Sequence, residues 1–102
     1  MPIFPQPIRS VSQVSAAHTA STGDVVLVTT GTAGVAVTLP PVAEGGPVTV
    51  RKIDAGTGAL TVVSADGSTV NGIAGATGVS TTVQYAGWTF VSDGAHWWQT
   101  AS

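Results

Sequence analysis

Tyr85-Ala-Gly-Trp-Thr-Phe-Val-Ser-Asp-Gly-Ala-His-Trp-Trp98 holds two aromatic runs joined by Ser92-Asp93-Gly94. Asp-Gly between such runs is a strong hairpin signal, because a tight two-residue turn wants positive φ at both central positions. All three tryptophans, Trp88, Trp97 and Trp98, fall in this stretch. Neighbouring residues of a strand point to opposite faces, so Trp97 and Trp98 must face apart. One is expected in the core, the other at the surface or a subunit boundary. A buried tryptophan brings roughly 150–250 Å² of contact area, a large gain for a small domain. Tyr85, Trp88, Phe90, Trp97 and Trp98 are therefore the candidate aromatic core or interface. A paired glycan-stacking platform is the competing use of the same rings.

Upstream of the hairpin the chain reads as strand and turn. Asp24-Val-Val-Leu-Val-Thr-Thr30 is β-branched and stops at Gly31, and Val35, Val37 and Leu39 alternate onto one face before Pro40-Pro41. Gly45-Gly46-Pro47 is a turn, Val48–Ile53 the next strand, and Ala59–Val63 another. Asp66-Gly67 is a second tight turn, so Asp66, Gly67, Asp93 and Gly94 are the structural turn residues. Ser68–Asn71, Ser80–Tyr85, Gly87–Val91 and His96–Thr100 complete the series. The spacing predicts an all-β fold, a compact sandwich-like, barrel-like or β-prism-like domain of about eight short strands. That domain takes residues 23–102. Residues 1–22 are expected to be an extended N-terminal arm, since Pro2, Pro5 and Pro7 favour a polyproline-like course. Ile3, Phe4 and Ile8 are apolar, which suits either an arm docked on a neighbour or a terminal strand on its own domain. Within residues 1–22, Ser10–Ser21 is rich in Ser and Ala; the spacing of Val11 and Val14 allows a shared helical face, but the stretch is too weakly patterned to assign an element.

Composition narrows the function classes. There is no cysteine, so a disulfide or thiolate metal site has no ligands. No apolar run reaches the length of a membrane span, and no basic-then-apolar leader opens the chain. Arg9, Arg51 and Lys52 are the only basic residues and the net charge is −2, the opposite of a nucleic-acid footprint. Arg51 and Lys52 fall on opposite faces of one strand and make no patch. Charged residues are 8% of the chain, against roughly 25–35% on a designed soluble surface. Two explanations compete: a monomer coated in Ser, Thr and Gly, or a surface largely covered by partners.

Catalytic constellations are not evident. Ser92, Asp93 and His96 are close in sequence, but a triad needs a nucleophile, a base and an orienting group assembled by the fold. The turn accounts for Asp93-Gly94 without chemistry. His18 and His96 lie far apart with no third ligand of matching spacing, so no metal site and no cofactor are expected. Gly72-Ile-Ala-Gly75-Ala-Thr-Gly78 lacks the Gly-Lys-Ser/Thr ending of a phosphate loop. Loop flexibility, or close backbone approach at a symmetry axis, is the use expected of it.

Taken in order, Val37-Thr-Leu-Pro-Pro41, Pro47-Val-Thr-Val-Arg-Lys-Ile-Asp54, Leu60-Thr-Val-Val63, Ala65-Asp-Gly-Ser-Thr-Val-Asn-Gly72 and the Tyr85–Trp98 hairpin form a familiar series. It resembles the small β modules of tailed-bacteriophage capsid decoration, head-fibre and tail-fibre proteins, over roughly residues 24–100. The doubled Trp97-Trp98 and Arg51 directly before Lys52 depart from the common pattern, and Val70 stands where isoleucine is usual. The resemblance implies a virion structural protein without enzyme activity, usually a homotrimer. The short chain then suits a decoration (cement) protein on the capsid surface, with itself and the major capsid protein as partners. Pro2, Ile3, Phe4, Pro5, Pro7, Ile8 and Arg9 would be its capsid-docking arm. The alternative is a receptor- or glycan-binding adsorption module of a head or tail fibre, whose partner is a host surface glycan. No nucleic-acid or membrane partner is expected.

Overall fold

The computed structural model describes residues 10–101. Eleven short strands are found among them: β1 (Ser10–Val14), β2 (His18–Thr19), β3 (Asp24–Val28), β4 (Val35–Leu39), β5 (Val48–Lys52), β6 (Leu60–Ser64), β7 (Thr69–Val70), β8 (Ile73–Ala74), β9 (Val79–Thr81), β10 (Gly87–Ser92) and β11 (Trp97–Ala101). A single 3₁₀ turn, Val42–Glu44, is the one helical segment among the described residues. The fold is all-β, in two sheets ordered β1-β3-β5-β10-β11-β7-β8 and β2-β4-β6-β9.

The first six strands alternate between the sheets. β1, β3 and β5 run parallel side by side in one, and β2, β4 and β6 in the other. Parallel neighbours need a crossover, and each crossover here is a strand of the opposite sheet. The chain therefore winds as a coil of three rungs. Val25 lies beside Thr49, and Val35 beside Leu60, so the second and third rungs are offset by 24 to 25 residues; the first is shorter, with Val11 beside Val25 and His18 beside Val37. At the open edges the direction changes: β10 pairs antiparallel with β5 and β9 with β6, while β11, antiparallel to β10, runs with β5 again and pairs parallel with β7.

Alternation along each strand fills the space between the sheets. Val26, Val28, Val48, Val50, Phe90 and Trp97 from one sheet meet Val35, Val37, Leu39, Leu60 and Val62 from the other, all buried. Fully burying one such side chain is worth about 1.5–3 kcal/mol relative to leaving it in water. Lys52 continues the inward row of β5 and is wholly buried. Its Nζ donates to Asp54 O at 2.7 Å, Gly56 O at 2.8 Å and the Asp54 carboxylate at 3.1 Å. That carboxylate also accepts the N–H groups of Thr30 and Gly31, both at 3.0 Å, and of Gly56. These donors, the Thr30 N–H foremost, hold Asp54 well below the usual carboxylate range. One buried cation and one carboxylate thus clamp the turn after β3 to the turn after β5. The two turns touch so closely that a Cβ on Gly58 would overlap Gly34.

Several expectations shift. Ser10–Val14, which the sequence alone leaves unassigned, is a strand: Val14 packs against the core while Val11 points out, and pairing with β3 decides the conformation. Of the expected arm, residues 10–22 form β1, β2 and their connections, and residues 1–9 lie outside the described residues. The strand expected over 80–85 ends at Thr81, and Tyr85 adopts φ +68° in the following loop. Asp66-Gly67 turns the chain from one sheet to the other, not back along the same one.

Candidate interaction surface

β10 and β11 form the expected hairpin, with Ser92 opposite Trp97. The connection is the four residues Asp93–His96, not a two-residue turn. Only Gly94 is left-handed, at φ +95°. Asp93 works through its side chain: one carboxylate oxygen accepts Ala95 N–H at 2.9 Å and His96 N–H at 2.8 Å, and the other accepts the Trp98 indole N–H at 2.9 Å. The His96 and Ala95 amides are the main cause that lowers the Asp93 pKa to about 2. Asp66 uses the same device. Its carboxylate takes the Ser68 hydroxyl and the Val42 and Ser68 N–H groups, which lower its pKa. Gly67 is left-handed beside it, at φ +85°.

The aromatic residues divide. Trp97 and Phe90 are buried completely, and Trp88 is half-buried with its ring 5.9 Å from that of Phe90. Trp98 is 42% exposed and Tyr85 64%. Ser92, Asp93 and His96 do not converge. The Ser92 hydroxyl donates to Val42 O and accepts Gly94 N–H, while His96 Nδ1 accepts the Thr69 N–H at 3.0 Å. His96 therefore ties the start of β11 to β7, and His18 sits in the other sheet. Among the described residues no group of three His, Asp or Glu side chains is placed to hold a metal ion. The Gly72–Gly78 segment lies on β6: a Cβ on Gly75 would overlap Ser64, and one on Gly78 would overlap Val62 O. Its close approach is to its own chain. The docking-arm residues Pro2, Ile3, Phe4, Pro5, Pro7, Ile8 and Arg9 are outside the described residues.

The two outer sheet faces differ, and the sequence reading did not separate them. Between buried neighbours, Thr19, Ala36, Thr38, Thr61, Val63 and Ser80 point out from the four-stranded sheet. The seven-stranded sheet turns outward Val11, Val25, Leu27, Val91 and Trp98, with Thr49 and Thr89 between them. Gln13, beside Leu27, is an exposed polar group on this second face, and the threonines and Arg51 are engaged. Thr49 and Thr89 share a hydroxyl hydrogen bond of 3.0 Å, Thr100 donates to Thr89 O, and Arg51 donates to Tyr85 O. The alternation of Val25 and Leu27 with Val26 and Val28 was visible in the sequence. That both of these outward residues join Val91 and Trp98 on one face depends on the strand order.

Charge is also sorted along the strands. Asp24 opens β3, Asp93 follows β10, and Glu44 and Asp66 line an open groove of about 470 Å³ at that same end. Ser92 N–H donating to Gly45 O joins Asp93 to this group. Arg51 and the Lys52–Asp54 pair lie at the other end of β5. Four of the five acids thus mark one end of the sheet and the outward-facing Arg51 the other.

The molecule is thus a small two-sheet β coil with one apolar outer face and polarised ends. Comparison with known proteins finds no matching family model, no matching curated protein and no matching solved structure.

Proposed function

We propose that this chain is a structural protein of a bacteriophage virion, a trimeric capsid decoration protein that binds the outer surface of the shell and stabilises it. The observation that carries the reading is the ordered motif series from Val37 to Trp98 and its resemblance to phage virion β modules. The scarcity of charge and the apolar outer face of the larger sheet support a chain that works among partners. The mechanism is passive. A ligand that binds only the assembled shell stabilises that state by mass action, and an oligomer touching several subunits gains further through multivalency. No cofactor and no catalytic step are involved.

Cosedimentation with undecorated capsids tests the reading. The full chain is expected to pellet with capsids and to raise their temperature of disruption. Removal of residues 1–9, which leaves all three rungs of the coil, is expected to abolish binding while the β domain stays folded. A full chain that never pellets with capsids would refute the role, and undiminished binding after truncation would refute the docking arm. The exposed rings of Tyr85 and Trp98 favour a second reading, an adsorption module that stacks on a host glycan. Glycan-array binding lost on Trp98→Ala, with no capsid binding, would select it.

A further inference from the structure

We infer that the outer face of the seven-stranded sheet is the surface through which copies of this chain pair with one another, ordered end to end by charge. The occupant of the face is a second copy of the chain. This deepens the self-association part of the proposed function, and it is read without any capsid, so its failure and that of the capsid reading are told apart.

Three observations carry it. First, the face carries more large apolar side chains than its counterpart: Val11 is 60% exposed, and Val25, Leu27, Val91 and Trp98 surround the threonine pair, with Gln13 beside Leu27. Second, burying it strands few polar groups. Unpaired donors and acceptors are what make interface burial costly. Here the Thr49 and Thr89 hydroxyls bond each other, and the Trp98 indole N–H is held by Asp93. Third, the charges are self-complementary. The strands carry acids at one end, with Asp93 beside this face, and the outward Arg51 at the other. Copies that meet face to face and head to tail set Arg51 of one against the acidic end of the next, whereas copies in the same sense set like against like. A partner with a single strong charge would match one end only, so the polarity selects a second copy. A face that meets its own copy closes as a two-fold pair and not a filament, so this contact bears on self-association and not on the trimeric order of the proposed function.

The test uses the full chain in solution. Light scattering across a dilution series is expected to give a whole-number multiple of 10.1 kDa. Leu27→Lys places an ammonium in the centre of the face and is expected to yield a folded monomer, with fold checked by circular dichroism. Val11→Lys, on the outermost strand, is the second variant should Leu27→Lys fail to fold, and the same mass drop is expected. Arg51→Glu is expected to shift the series toward monomer, because it sets like charges against each other. Thr61→Lys, on the opposite sheet, is expected to leave the mass unchanged. A wild-type chain that stays monomeric at every concentration overturns the inference. So does an oligomer that survives the Leu27 and Val11 variants, or one dissolved by Thr61→Lys alone.

Discussion

Replacing Trp97 by alanine tests the core more sharply than any other single change. Trp97 is fully buried, and it approaches the backbone at Gly46, where an added Cβ would stand 3.2 Å from its ring. Burying an indole removes roughly 150–250 Å² from water. At about 25 cal/mol per Å² this is about 4–6 kcal/mol, an upper bound because the unfolded chain already hides part of its surface. One term opposes it. The indole N–H has no hydrogen-bond partner among the described residues, and an unpaired buried donor costs about 1–3 kcal/mol. Truncation removes that cost, so the two terms leave a net loss of about 1–5 kcal/mol, centred near the low end of the usual span of about 3–5 for a large aromatic cut to alanine. A domain of this size has only about 5–15 kcal/mol in total. Trp97→Phe separates the two terms: it keeps most of the apolar contact and deletes the orphan donor, so its cost is expected within about 1 kcal/mol. Urea melts followed by far-UV circular dichroism at one protein concentration measure both. Trp97→Ala within 1 kcal/mol of wild type would refute the packed aromatic core, and Trp97→Phe as costly as Trp97→Ala would refute the opposing donor term.

Acidification is expected to weaken the fold through its turns. Asp54, Asp66 and Asp93 are all lowered by native hydrogen bonds. A lowered carboxylate stabilises the fold above its unfolded value of 3.8 and loses that contribution as pH falls. For Asp93 the loss runs from about 4 down to about 2. Urea midpoints against pH should fall over that span, and less steeply in Asp93→Asn; a flat profile would count against the turn hydrogen bonds. Gly78→Ala should destabilise far more than Gly67→Ala. Both have positive φ, but a Cβ at Gly78 overlaps Val62 O while one at Gly67 meets open space. Gly67→Ala carries only the left-handed penalty of about 1–2 kcal/mol, and equal melting temperatures for the two variants would overturn the ranking. Asp54→Ala should cost amide-exchange protection at Thr30, Gly31 and Gly56 while the β10–β11 hairpin keeps its own. Uniform loss across the chain would show that the clamp is not local.

Much of the strand pattern was legible. Val35–Leu39 is a strand with the limits its alternation indicates, and Val48–Lys52 ends one residue short of the expected span. Both runs carry their own pattern and are bounded by Gly and Pro, so local sequence suffices. β1 carries no such pattern: Ser-Val-Ser-Gln-Val becomes a strand because β3 offers a parallel edge. The coil itself is hidden for a related reason. Its rungs repeat backbone positions, but the outward residues at those positions differ in kind, Leu27 against Arg51 and Val25 against Thr49, and the inward Val28 matches Lys52. Gly31-Thr-Ala-Gly34 and Gly56-Thr-Gly58 are one local trace of the repeat, and the matched inward pairs Val26 with Val50 and Val37 with Val62 are another. At the candidate surface, Asp93 was legible as a turn residue but not as the acceptor for Trp98. Tyr85 read as part of a strand because nothing in the residue itself signals its left-handed backbone.

The buried Lys52 shows how the coil tolerates a break in its own pattern. At the same point of the preceding rung stands Val28, and an uncompensated charge there would be strongly unfavourable. The chain turns the charge into a rung clamp. Three oxygen acceptors from residues 54 and 56 saturate the ammonium, and the carboxylate among them binds two amides of the rung before. An apolar residue at 52 would leave the Gly58 N–H to Gly31 O and Val35 N–H to Ala59 O bonds between those turns, but would deprive the Asp54 carboxylate of its cation. A one-residue slip would turn the buried valine rows out to solvent, so burial already fixes the register of the stacked rungs, and the clamp adds a second constraint at their turns. The clamp sits at the basic end of the sheet, next to Arg51. The residue that clamps the turns inside one copy and the residue proposed to meet the acidic end of a second are thus neighbours in sequence, pointing in and out from the same strand.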